Sequence, residues 1–254
     1  SWTTTETIAS LLVGVLLLAV FVWVESRARQ PIMPLRLFAS RRRSGSYGAR
    51  TLYLGVMISF WFFITQYLQV VKGFSAILTG VAFMPMTLAN FAAALCIPRL
   101  TRRIGNPLVI TVGVAVTLVG MVWLTRISPG SSYLLAFALP LVLLGVGQGL
   151  SQGPLTAEGL VGVADRDAGA ASGITYVASQ VGTSLALAIQ TAVFAAAAGG
   201  GLAGTALLTH RISAALTAAA VLLALSLAVV VVTITVRRGD AAPGIDGVAG
   251  EAGG

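Results

Sequence analysis

The chain has 254 residues, 57% of them hydrophobic and 9% charged. Soluble domains carry about 25% charged residues, and the mean hydropathy here is +0.93. The composition therefore excludes a water-soluble globular domain and predicts an all-α integral membrane protein. In a soluble chain a net charge of +8 would suggest nucleic acid. Here the arginines lie in short segments between apolar runs, which reads as membrane topology, so no nucleic-acid partner is expected.

Seven apolar runs are predicted to span the bilayer. The first covers 8–24, bracketed by Trp2 and Trp23 as interfacial aromatics often are. A basic segment, 25–47, follows with Arg27, Arg29, Arg36, Arg41, Arg42 and Arg43. Within it, 31–38 mixes apolar and basic residues, as either a short surface helix or an irregular linker does. The second run is 51–71, and Lys72–Ser75 forms a turn. The third is 76–97, and Pro85 predicts a kink near Met84. Next comes a basic turn, 98–107, with Arg99, Arg102 and Arg103, and the fourth run is 108–125. The fifth, 133–153, contains Pro140 and is closed by Pro154. A loop over 155–168 holds Glu158, Asp165, Arg166 and Asp167, the last three read as a solvated group that pairs locally. The sixth run is 169–198, Gly199–Gly201 breaks it, and the seventh is 212–236. The tail, 237–254, reads as disordered.

Basic loops are retained on the cytoplasmic side. Spans must alternate, so placing 98–107 inside also places 25–50, 155–168 and the tail inside. Only Lys72, Arg126 and Arg211 of the 16 basic residues then lie outside. This predicts a cell-membrane, multi-pass protein with a cytoplasmic C-terminus and with Ser1 outside. An odd number of spans is expected upstream of Ser1.

Gln66–Gly80 followed by Met84-Pro85, Gly145–Gly149 with Pro154, and Gly169–Ile174 continuing to Ser179–Gly182 carry a resemblance. In that order they resemble the 14-spanner drug:proton antiporters of the major facilitator superfamily. The resemblance implies that 1–24 is a linker transmembrane helix and that 48–236 is the C-terminal six-helix bundle. Seven upstream spans would form the N-terminal half. It also implies alternating-access efflux of small amphipathic compounds, coupled to protons. The family's basic turn, Gly-x-Leu-x-Asp-Arg-x-Gly-Arg-Arg, is matched at Leu100, Arg103 and Gly105. It is departed from at Pro98, Arg102, Asn106 and Pro107, which removes the turn's carboxylate and bears on gating.

Catalysis needs a nucleophile, acid, base or metal in a site. No run carries an ionisable residue near its middle, and one Cys and one His leave no metal cluster. No enzyme activity, metal or cofactor is expected. Cys96 reads as a small buried hydrophobe and His210 as interfacial. The polar residues left in apolar runs must face protein or a water-filled cavity. The substrate-cavity candidates are Gln148, Gln152, Gln66, Asn90, Tyr176 and Gln180, with interhelical hydrogen bonding as the alternative role. Gly145, Gly149 and Gly153 are spaced for helix packing, on the side of the fifth run that also carries Gln148 and Gln152. A non-transporting membrane module, such as a scaffold or the membrane part of a regulator, remains the other class of function.

Overall fold

The computed structural model describes residues 5–27, 38–130 and 132–235, and every regular element among them is helical. Helix α1, Thr5–Arg27, is 23 residues long. Among its described side chains, Leu12, Leu16, Phe21 and Trp23 are exposed. The Arg27 guanidinium lies 4.7 Å from the centre of the Trp23 ring. The segment 31–37, with its choice of surface helix or linker, and the tail lie outside the described residues.

Helix α2 covers Arg41–Gln66 and runs on through a π-helical turn, Tyr67–Val71. It starts well before the expected 51. The extended Ser40 caps it, its side chain accepting from the Arg43 backbone N–H. Arg41–Arg43 therefore sit on a helix end, and Ser46, Tyr47 and Ala49 are buried. Helix α3, Ala76–Ala82, begins at the capping Ser75, and α4, Met84–Ile104, follows after a break at Phe83. Pro85 lies in the first turn of α4, which places the break where the kink was expected.

The basic turn is much shorter than the sequence suggested. α4 continues through Pro98 to Ile104, and α5, Asn106–Leu124, starts directly after Gly105. Arginine is a good helix former, and positive charge at a helix C-terminus is favourable, so charge did not mark a loop here. Gly105 makes the reversal with φ 82, a conformation that glycine adopts without a Cβ clash. Pro154 likewise does not close its helix. A π-helical turn, Leu134–Ala138, leads into α6, Leu139–Leu160, which passes Pro154 and carries Glu158 on its last turn. Helix α7, Ala168–Ala196, follows a 3-10 turn at Asp165–Asp167. Helix α8, Gly204–Val230, extends through Val231–Thr235. It starts earlier than the expected 212 because Arg211 is accommodated within it. The Arg211 Nε donates to the Ala197 carbonyl at 3.3 Å, and the guanidinium lies 6.0 Å from the Phe194 ring centre.

Among the described residues, six helical stretches are long and apolar enough to cross a membrane: 41–71, 76–104, 106–124, 134–160, 165–196 and 204–234. α2 packs on α7 and α8, while α6 packs on α4 and α5; α5 meets α8. Exchanging α2 with α6, α4 with α7 and α5 with α8 maps these pairings onto themselves. The bundle is thus two three-helix units of like packing, the arrangement of repeat-built transporters. The shared core holds Tyr53, Phe60 and Tyr67 of α2, Val114 of α5, Leu144 of α6 and Leu216 of α8. α5 and α8 form the back, and α4 and α7 flank the other side. In its most apolar stretch α6 is 56% buried, but α4 and α7 are each 22% buried, so the flanks leave much of their surface unpacked.

Candidate functional site

Helix α6 seats against α4 through glycine. A Cβ on Gly145 would collide with the Met86 carbonyl oxygen, and one on Gly149 would stand 2.5 Å from that of Asn90. Gly153 is looser, with only Ile97 Cδ1 at 3.7 Å. The seam brings the half-buried Asn90 next to the turn that carries the half-buried Gln148; Gln152, one turn on, is exposed. On α7, Tyr176 is 67% exposed, and Gln180 is exposed as well.

Arg50 joins these two groups. It projects from α2, donating from Nε to Ser179 Oγ on α7 at 3.1 Å and from Nη1 to Thr156 Oγ1 on α6. The Thr156 hydroxyl in turn donates to the Gln152 carbonyl, and that of Ser179 to the Thr175 carbonyl, each at 2.8 Å. Five of the six cavity candidates thus lie on α4, α6 and α7. Gln66 does not join them. It sits near the far end of α2, beside Tyr67, whose hydroxyl donates to the Ser128 carbonyl at 2.7 Å.

The second polar region is the arginine-rich end. Arg42 Nε donates to Glu158 Oε2 at 2.6 Å, and Nη2 donates to Oε1 at 2.8 Å. Asn106 Nδ2 donates to Glu158 Oε1 at 2.8 Å and to the Pro154 carbonyl at 3.3 Å. Glu158 is 1% exposed and Arg42 45%. Beside this pair, Ser46 Oγ donates to the Leu155 carbonyl at 3.2 Å and the Tyr47 hydroxyl to the Gly159 carbonyl at 3.0 Å. These bonds clamp the start of α2 to the end of α6, with the start of α5 joined through Asn106. Arg99, Arg102 and Arg103 stand exposed on the last turns of α4, Arg102 Nε donating to the Pro98 carbonyl at 3.2 Å. The turn lacks an acid of its own, but a carboxylate reaches this end from another helix.

Sequence reasoning placed Glu158 in a loop and gave Arg50 no role. Only one signal pointed to either: both are ionisable residues within a turn or so of apolar runs. Gln190, a polar residue of the sixth apolar run, is fully buried on α7, and neither side-chain amide atom has a hydrogen-bond partner among the described residues. Cys96 is exposed, not buried, because it lies on the unpacked surface of α4. His210 is exposed on the second turn of α8. Arg166 Nε lies 3.9 Å from Asp167 Oδ2, a local pair.

Six apolar helices, unpacked along two flanks and clamped by charge at one end, define a multi-pass helical membrane protein. Residues 1–187 match the family model described as Major Facilitator Superfamily, and the chain belongs to that family of membrane transporters. It is 35% identical over 182 residues to the cephamycin export protein CmcT of Amycolatopsis lactamdurans, covering 71% of this chain and 37% of that protein. It is 34% identical over 186 residues to the puromycin resistance protein pur8 of Streptomyces alboniger, covering 72% and 37%. The multidrug resistance protein Stp of Mycobacterium tuberculosis is 29% identical over 195 residues, covering 77% and 36%. The chain thus spans little more than a third of the length of these relatives.

Proposed function

We propose that this chain is the C-terminal part of a secondary transporter that exports small amphipathic compounds across the cytoplasmic membrane. The observation that supports the reading is that Gln152 on α6 and Tyr176 and Gln180 on α7 are exposed and Gln148 is half-buried, in a bundle whose α4 and α7 surfaces are left largely unpacked. An upstream seven-span half would cover those flanks, and α1 would be the linker helix between the halves. Drug-sized pockets are mostly apolar with a few placed polar groups, and a transporter site lies where its two halves meet. The relatives named for export and resistance support the same reading. Export is by alternating access and is coupled to protons, the proton-binding carboxylate coming from the upstream half. The arginine-rich end faces the cytoplasm, as does the C-terminus.

The test is export of a broad compound panel by the full-length protein and by its Gln148→Leu and Gln152→Leu variants. We expect an altered substrate profile or rate at an unchanged membrane level. Parent-like export by both variants makes these amides interhelical glue. No export by the full-length protein leaves the non-transporting module as the function.

A further inference from the structure

Among the described residues, Arg50 is a cation without a counter-charge. A guanidinium stays protonated at any physiological pH. Placing such a charge in a half-buried site is costly unless an opposite charge balances it. Here its two recorded partners are neutral hydroxyl oxygens, Ser179 Oγ and Thr156 Oγ1. Among the described residues no carboxylate pairs with it. Glu158, the acid two positions beyond Thr156, is occupied by Arg42 and Asn106.

The two hydroxyls act as struts. Each gives its own hydrogen to a carbonyl one turn back, Thr175 for Ser179 and Gln152 for Thr156. Each therefore turns a lone pair to Arg50, and the guanidinium is held from two different helices. Of its five N–H bonds, both on Nη2 and one on Nη1 remain for another acceptor. Gln152 stands one turn before Thr156 and Gln180 directly after Ser179, and both are exposed. A fixed cation with N–H bonds to spare suits a molecule with an anionic group, because planar guanidinium and carboxylate pair in a bidentate fork.

We infer that Arg50 is an anion-recognition point, and that the compounds it selects carry a carboxylate. This rests on the transport reading above and names the substrate class for it. The carboxylate belongs to the substrate, and an acidic side chain of the upstream half is the rival source.

The experiment uses the purified full-length protein in nanodiscs and two probes, dansylaminoundecanoic acid and its methyl ester, each titrated by fluorescence. The parent should bind the acid about tenfold tighter than the ester, the scale of one charge-assisted hydrogen-bonded contact. Arg50→Gln should abolish that preference while leaving ester affinity unchanged, and Arg50→Lys should keep part of it. Equal binding of acid and ester by the parent overturns the inference, whatever the variants do. So does an undiminished preference in Arg50→Gln. A loss of thermal stability in Arg50→Gln, with no acid preference in the parent, also overturns it and assigns the carboxylate to the protein. Export of the compound panel by a parent that binds neither probe sinks this inference and leaves the transport reading standing. Absence of all export sinks the transport reading itself.

Discussion

Gly149 of α6 rests against the backbone of Asn90 on α4: a Cβ there would stand 2.5 Å from the Asn90 carbonyl oxygen and 2.8 Å from Ala93 Cβ. A backbone carbonyl inside a helix has little room to retreat. Gly149→Ala should therefore push α4 and α6 apart, at a cost of about 1–3 kcal/mol. Gly153→Ala, facing only Ile97 Cδ1 at 3.7 Å, should be close to neutral. Thermal midpoints of the two detergent-solubilised full-length variants check the contrast. Equal midpoints would mean that this seam has slack the geometry does not show.

The clamp between α2 and α6 should behave as a coupled unit. Glu158 is 1% exposed and bonded by both Arg42 and Asn106. Glu158→Gln and Arg42→Gln should each destabilise the bundle. Their double variant should lose about 1 kcal/mol less than the sum, a larger coupling than most surface pairs show. The coupling should persist in high salt, since the carboxylate is buried and screening acts mainly on exposed charge. Chemical unfolding of the four proteins gives the cycle, and strict additivity would make the pair incidental.

Gln190 predicts a gain. Its amide is fully buried and neither polar atom has a partner among the described residues. Leaving such a group unsatisfied costs about 1–3 kcal/mol. Gln190→Leu, similar in volume, should raise the thermal midpoint. A lowered midpoint would mean that a partner from the upstream half or a bound water satisfies the amide in the complete protein.

The proposed orientation is open to labelling. Cys96 is exposed, so the background is Cys96→Ala. Ile104→Cys, 39% exposed in the parent residue, marks the arginine-rich end, and Ser132→Cys marks the opposite one. Thr101 is a poorer site because its hydroxyl is buried. Impermeant thiol reagents should reach position 132 in intact cells and position 104 only after the cells are opened. The reverse pattern inverts the topology.

Apolar run length located the helices in the membrane, and Pro85 marked the one break inside them, because both signals are local. Helix ends were misjudged where charge or proline was taken as punctuation. Arg41–Arg43, Arg99–Arg103 and Arg211 all lie on helices, and Pro98 and Pro154 are passed through. At Pro154 the deciding contacts come from elsewhere in the fold. Leu155 and Gly159 continue α6 past its proline while their carbonyls accept from Ser46 and Tyr47, more than 100 positions away. The candidate amides were legible as polar residues in apolar runs. That Arg50 ties the α6 group to the α7 group was not, since its partners lie 106 and 129 positions from it.

The clamp also has a history during synthesis. Arg42 and Glu158 are 116 positions apart. At about 5–20 residues per second, on the order of ten seconds separate their emergence from the ribosome. Through that interval Arg42 is a bare cation at the end of a newly made apolar helix, the kind of charge that determines which side of a membrane a helix end stays on. When Glu158 arrives, the same guanidinium becomes half of an ion pair in the finished bundle. On the orientation proposed above, Arg42 would sort first and bind afterwards. Exchanging the two residues would preserve the pair in the folded protein while withdrawing the cation at the moment α2 is inserted.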